Sequence, residues 1–201
     1  MITSNDIDFE KDGGLVPAII QHATTGQILM LGYMNDEALE ATLNDNYVTF
    51  YSRSKKRLWK KGESSGNTLT LVSLSIDCDR DTLLIKALPS GPVCHTGTPT
   101  CFADDDPPAA GFLTILEQVI DQRTSADPEE SYVAKLNLKG LTKIAQKVGE
   151  EGVEVALAAV AEDDEALKGE AADLVFHLMV LLRARGVTLA DVVSTLEARH
   201  R

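Results

Sequence analysis

Carboxylates at helical spacing are the sharpest chemical signal in this chain of 201 residues. Glu150, Glu151 and Glu154 fall within an arc of about 100° on one helix. Glu170 and Asp173 stand three apart on the next helical stretch. Both sets are embedded in apolar sequence, with Val153, Val155, Ala156 and Leu157 around the first and Ala171, Ala172, Leu174 and Val175 around the second. Carboxylates on apolar helices are costly unless a metal or a basic side chain neutralises them. Two facing helices so equipped can hold Mg²⁺ ions that bind a polyphosphate and orient water for in-line attack. The other account is surface charge with lysine partners, as in Lys147 with Glu151. Lys135, Lys139, Lys143 and Lys147 recur every four residues. They form either a solvated stripe or a phosphate contact, and Lys147 is nearest the carboxylates. His177, four residues after Asp173, reads as a satisfied core histidine or one behind the metal ligands.

A second chemistry lies upstream. Cys78, Cys94 and Cys101 are the only cysteines, and they cluster within 24 residues. An odd number cannot close an intrachain disulfide set. Three soft ligands plus a water is the open arrangement of catalytic zinc, which brings a bound water to a pKa near ~7. The alternative is three buried, inert thiols. His95, beside Cys94, is either a ligand or a proton-transfer group, and Cys94 is the better ligand. Asp77, Asp79 and Asp81 share one face if the chain is extended there, with Cys78 pointing the other way. Their oxygens suit magnesium; the alternative is a solvated turn. Arg53, Lys55, Lys56, Arg57, Lys60 and Lys61 fill a nine-residue window without an acid. This window is either an exposed face or a phosphate site. Trp59 within it can stack on a base or pack. Gly62 to Asn67 is a permissive loop with hydroxyl and backbone donors.

These residues need elements to position them. Val16–Gln21 and Gln27–Leu31 predict a hairpin across a Thr-Gly turn. Asn35 caps a short helix through about Asn44. Val48–Tyr51, Thr68–Ile76 and Leu83–Ile85 predict strands. In the second, residues 68, 70, 72, 74 and 76 share one face. Ser90–Ala103 reads as loop. Phe112, Ile115, Leu116, Val119 and Ile120 begin an all-helical half. Asp127-Pro128-Glu129-Glu130 offers an N-cap, a proline at N1 and an acid at N3. Long helices follow over Leu141–Ala161 and Glu165–Arg185. Gly186 ends the second, and Thr188 caps a last helix. The expected fold is an N-terminal α+β domain rich in strands and a C-terminal all-α helical bundle.

Composition agrees with two halves. Asp104-Asp105-Asp106-Pro107-Pro108 forbids helix and repels itself. The division predicted is 1–103, an acidic proline-bearing linker over 104–111, and 112–201. Acids outnumber bases 12 to 9 in 1–103 and 16 to 10 in 109–201, within a net charge of −12. That balance disfavours nucleic acid, whose binding is dominated by phosphate neutralisation, yet leaves room for small phosphorylated ligands. No apolar run approaches the ~18 residues of a membrane span. The acidic N-terminus lacks the apolar core of a secretory signal, so the expected location is cytoplasmic.

The first half resembles the phosphoribosyl-AMP cyclohydrolases. The resemblance rests on Trp59-x-Lys61-Gly62-Glu63-x-Ser65-Gly66-Asn67, on Asp77-Cys78-Asp79-x-Asp81, on Gly91-Pro92-x-Cys94-His95-Thr96-Gly97 and on Cys101-Phe102. It runs from about Gly14 to Phe102. It implies zinc on Cys78, Cys94 and Cys101, magnesium on Asp77, Asp79 and Asp81, and a homodimer with zinc ligands from both subunits. Ser64 and Thr100 replace the Thr and Ser expected of many relatives, which keeps a hydroxyl at each position. The implied reaction is hydrolytic opening of the N1–C6 bond of the adenine ring, with His95 shuttling a proton. Purine C6 is also where zinc deaminases attack. Arg53, Trp59, Lys61, Ser65, Gly66 and Asn67 are expected to bind the substrate.

The second half, about 112–201, resembles phosphoribosyl-ATP pyrophosphohydrolase and the wider MazG-type pyrophosphatases. The E-E-x-x-E and E-x-x-D pattern is common to the wider group, and Ser131-Tyr132-x-Ala134-Lys135-Leu136 and Ile144 to Glu151 point to the phosphoribosyl-ATP branch. Glu151, Glu154, Glu170 and Asp173 are then magnesium ligands, Glu150 the catalytic carboxylate, and Lys135 and Lys147 substrate contacts. Together the halves resemble the bifunctional enzymes of histidine biosynthesis. The C-terminal half would act first, releasing pyrophosphate, and the N-terminal half would then open the ring.

Overall fold

The computed structural model describes residues 2–11, 13–102 and 108–200. The chain falls into two compact units, Met1–Phe112 and Leu113–Arg201. Of the segment read as linker, residues 104–107 lie outside the described residues. Its last residues, from Ala109 on, belong to the helix α2 (Ala109–Thr124).

The first unit is built on a four-stranded sheet in the order β2-β1-β6-β5. β1 (Val16–His22) and β2 (Ile28–Met34) form the expected antiparallel hairpin. β6 (Leu83–Pro89) runs parallel to β1 and antiparallel to β5 (Leu69–Ile76). Val16, Ala18 and Ile20 alternate into the core with Leu83, Ile85 and Ala87, all fully buried. α1 (Asp36–Asp45) starts where expected, with the Asn35 side chain accepting from Ala38 N at 3.0 Å. Ala38 and Leu39 pack into the core, and the Thr42 hydroxyl donates to the Ala38 carbonyl and accepts from Thr49 N.

This unit departs from the sequence expectation in two places. Arg57–Lys60 is a strand, β4, paired with β3 (Thr49–Ser52) as a second hairpin. Leu58 and Trp59 anchor this edge among the basic residues, with the Trp59 ring tilted against Phe50 at 5.6 Å between centroids. The period of two along β5 does not hold throughout. A register shift between Leu71 and Ser73 moves the inward positions from Leu69 and Leu71 to Leu74 and Ile76. One extra residue in a strand exchanges its faces in this way.

The second unit is helical. It contains most of α2 (Ala109–Thr124), with α3 (Tyr132–Leu138), α4 (Leu141–Ala161), α5 (Asp164–Ala184) and α6 (Leu189–Arg199). Ile120, Val133, Leu136, Ile144, Met179 and Val180 form its core. Asp127 does not cap α3. It closes a single turn, and Ser131 is the cap, accepting from Ala134 N at 3.2 Å. The four-residue lysine spacing is not one helical stripe either. Gly140 stands at φ +81° between α3 and α4, so Lys135 and Lys139 are on one side of a break and Lys143 and Lys147 on the other. Among the described residues, no helix is long and apolar enough to cross a membrane.

Candidate active sites

In the first unit, a cavity of about 420 Å³ opens between the loop after β4 and the loop after β6. Trp59, Lys61, Ser65, Asn67, Cys94, His95 and Cys101 line it, together with Met30, Glu63 and Val93. That volume lies within the range that takes a small ligand. Its walls are fixed by close backbone approach. Gly62 stands at φ +89°, and a Cβ there would lie 2.5 Å from the Asn67 carbonyl. The Asn67 amide donates to the Pro92 carbonyl at 3.0 Å, and Thr68 N donates to Ser90 Oγ at 2.8 Å. These bonds stitch the two loops together. Thr100 anchors the far side, its hydroxyl donating to the Ile28 carbonyl at 2.8 Å, while Cys101 N donates to the Leu29 carbonyl at 2.8 Å.

The thiols differ. The Thr96 hydroxyl donates to Cys94 Sγ at 3.0 Å, and hydrogen bonds led by this one lower the Cys94 thiol to about 6. Burial pushes the Cys101 thiol up, and the neighbouring Cys94 adds to the rise. Lys61, only 7% exposed, opposes it with its charge. A ready thiolate beside a second thiol suits a soft cation. His95 is exposed on the rim, its Nδ1 3.8 Å from Cys94 Sγ. Cys78 does not join them. It is exposed in the β5–β6 turn and does not line the cavity. Arg53 is not at the cavity either. Its guanidinium lies 3.8 Å above the Tyr33 ring. Gly66 is exposed on the loop at φ +78°.

The three aspartates converge, but by a different route from strand alternation. Residues 78–79 form a turn and Arg80 is left-handed at φ +62°. One Asp77 oxygen accepts from Asp81 N and Thr82 N, both at 3.0 Å, which closes the turn. Carboxylate oxygens of Asp77, Asp79 and Asp81 lie within 4.8 Å of one another, a set that can hold a hard cation. Sequence reasoning missed Lys11, whose ammonium lies 2.6 Å from both Asp79 and Asp81. Sixty-eight positions separate Lys11 from Asp79, so no local pattern could signal the pair.

In the second unit, α4 and α5 bring Glu151, Glu154 and Glu170 within 4.8 Å. Asp173, exposed one turn further along α5, stands outside this set. Glu151 is buried, and Lys147 Nζ lies 2.6 Å from it and 3.1 Å from Glu150. The hydrogen bond from Lys147 is the chief reason that both carboxyls are lowered. Glu154 is raised, first by its hydrogen bond to Glu151 and then by burial and the surrounding acids. Lys147 thus serves the acids themselves, while Lys135 is exposed on α3. His177 is buried, and the Tyr132 hydroxyl contacts its Nε2 at 2.9 Å.

Comparison with known proteins agrees with this division. A family model described as phosphoribosyl-AMP cyclohydrolase matches residues 30–103, and one described as phosphoribosyl-ATP pyrophosphohydrolase matches residues 113–200. The chain is 57% identical over 199 residues to the histidine biosynthesis bifunctional protein HisIE of Photobacterium profundum, covering 96% of each chain. It is 55% identical over 196 residues to the protein of the same name from Escherichia coli, covering 98% of this chain and 96% of the relative. The Xylella fastidiosa protein is 55% identical over 197 residues, covering 98% and 94%.

Proposed function

The chain belongs to the family of bifunctional histidine-biosynthesis proteins that join a phosphoribosyl-AMP cyclohydrolase to a phosphoribosyl-ATP pyrophosphohydrolase, and from that premise we propose which residues perform each hydrolysis. It is a hydrolase of phosphoribosyl nucleotides in histidine biosynthesis with two activities in one chain. We assign residues 1–103 to the cyclohydrolase domain, 104–111 to the linker and 112–201 to the pyrophosphohydrolase domain.

In the cyclohydrolase half, the Trp59 ring forms a wall for the adenine, and Ser65 and Asn67 offer polar contacts from the loop. Lys61 faces the same cavity as a nearly buried cation. His95 takes the proton of the attacking water and returns it to N1 as the N1–C6 bond opens, leaving a carboxamide carbon at C6. Cys94 and Cys101 fit zinc as soft donors from one chain. Cys78, exposed on its turn, completes the set from a second copy. Leu31, Val72, Leu88 and Phe102, each at least 41% exposed, give that second copy apolar surface to cover. The assembly is a cytoplasmic homodimer with a shared zinc site.

In the pyrophosphohydrolase half, Glu151, Glu154 and Glu170 hold magnesium, with Asp173 able to extend the site toward solvent. Glu150 orients the attacking water, Lys147 holds Glu150 and Glu151 in place, and Lys135 meets the phosphates. When bound, zinc would acidify a water to a pKa of about 7, and magnesium would neutralise polyphosphate charge at Glu151, Glu154 and Glu170 and monophosphate charge at Asp77, Asp79 and Asp81. The pyrophosphohydrolase acts first, since its product is the cyclohydrolase substrate.

The observation that carries this reading is the confinement of the thiols to one unit. Two of them line a ring-sized cavity there, whereas in the helical unit carboxylates alone converge. A coupled assay on phosphoribosyl-ATP with Mg²⁺ tests it, following pyrophosphate and ring-opened product separately. Cys101→Ala is expected to stop at phosphoribosyl-AMP and Glu154→Gln to block pyrophosphate release. Ring opening undiminished in Cys101→Ala, or pyrophosphate release undiminished in Glu154→Gln, would overturn the corresponding assignment.

A further inference from the structure

The helical unit holds a polar chain behind its carboxylates that metal binding by those carboxylates does not by itself explain. His177, on α5, is 5% exposed. Its Nδ1 lies 2.9 Å from the backbone carbonyl of Asp173. A carbonyl only accepts, so Nδ1 carries the proton. In the neutral ring Nε2 is then an acceptor, and the Tyr132 hydroxyl, 2.9 Å away, donates to it. The protonated edge of the ring also faces Glu151, with Nδ1 3.5 Å from Oε1. The imidazole has little freedom to turn. Tyr132 meets it edge-on with centroids 5.9 Å apart, and Phe176 does so at 5.3 Å. Tyr132 is the first residue of α3, held in place by the Ser131 cap beside it.

The geometry assigns Tyr132 and His177 as positioning residues for Glu151. The hydroxyl fixes the tautomer, and the fixed tautomer keeps an N–H edge toward a buried carboxylate. Glu151 is thereby held in the rotamer that shares a site with Glu154 and Glu170. Partners of this kind behind a ligand tune metal affinity by orientation rather than by contact with the ion. The assignment rests on the reading of Glu151 as a divalent-cation ligand. It adds a third helix, α3, to the elements that build the site.

The test uses the full chain carrying Asp79→Asn, to weaken the aspartate cluster of the first unit, with Mn²⁺ titrated by electron paramagnetic resonance. In this background, Tyr132→Phe and His177→Leu are expected to weaken Mn²⁺ binding roughly tenfold. The Mg²⁺ concentration for half-maximal pyrophosphate release should rise by the same factor, with the nucleotide KM at saturating Mg²⁺ little changed. His177→Asn places an amide N–H near the position of Nδ1 and should recover most of the loss seen in His177→Leu. Melting temperatures in chelator separate this from a folding defect. Unchanged Mn²⁺ binding in Tyr132→Phe and His177→Leu overturns the proposal, as does an Asn variant no better than Leu. Glu151→Gln is the control for the premise. If it leaves Mn²⁺ binding intact, the ligand reading fails; if it abolishes binding while the other variants bind normally, only the positioning role fails.

Discussion

The Lys11 ammonium stands 2.6 Å from an Asp81 carboxylate oxygen and makes the same approach to Asp79. A monovalent side chain therefore shares the aspartate turn with any divalent ion that binds there. Hydrogen bonds donated to these carboxylates, Asp79 first, hold the lysine above its ordinary range. Removing the lysine by Lys11→Met is expected to tighten Mn²⁺ binding at this turn, roughly two- to fivefold on the scale of an exposed ion pair. The measurement is a Mn²⁺ titration in a Glu154→Gln background. Weaker binding in Lys11→Met would show that the lysine supports the site instead of competing for it.

Cys94 and Cys101 should titrate apart in protein stripped of metal. Thiolate absorbance at Cys94 is expected to rise with a midpoint near pH 6, and at Cys101 above the ordinary thiol range. The sign for stability follows. The folded Cys94 thiol is the stronger acid, so its contribution is present in full above pH 9 and is lost as pH falls through about 6. Thr96→Val removes the leading hydrogen bond and should move the Cys94 midpoint upward. A midpoint that stays near 6 in that variant would assign the acidity to another cause.

Gly32 is required by its neighbour rather than by its backbone. A Cβ there would lie 2.3 Å from the Phe50 ring. Gly32→Ala is expected to cost about 1–3 kcal/mol by overpacking, read as a shift in denaturant midpoint. Adding Phe50→Leu should restore part of the loss.

Thr42 makes a different demand. It is fully buried, donates to the Ala38 carbonyl at 2.8 Å and accepts from Thr49 N at 2.9 Å. Thr42→Val leaves that amide without its partner and should cost about 1–3 kcal/mol, whereas Thr42→Ser should lose less. Equal losses in the two variants would point to packing rather than hydrogen bonding.

Local chemistry made much of this legible beforehand. Asn35, Gly186 and Thr188 marked helix ends because caps are decided within a few residues. The carboxylates of α4 and α5 announced themselves because helical spacing converts sequence into a shared face. What depended on distant partners did not show. The bulge of β5 is set by its pairing with β6, and nothing between Leu71 and Ser73 marks it. Arg57–Lys60 looked like a charged surface because the apolar contacts that make it a strand are two residues among bases. The lysine spacing runs through Gly140, and that glycine is the local signal for a break. Cys78 stands apart from the cavity that Cys94 and Cys101 line within one chain, and spacing along a sequence carries no information on which copy supplies a ligand.

The parallel pairing of β1 with β6 carries a consequence for how the protein is made. Ala18 lies opposite Leu83, and Ile20 opposite Ile85. At ~5–20 residues per second of translation, the β1–β2 hairpin leaves the ribosome several seconds before the strand that covers its other edge. During that interval Val16, Ala18 and Ile20, all destined for the core, have no partner on the β6 side. The aspartate turn and Cys78 emerge just ahead of β6, so the turn is delivered together with the strand that completes the sheet.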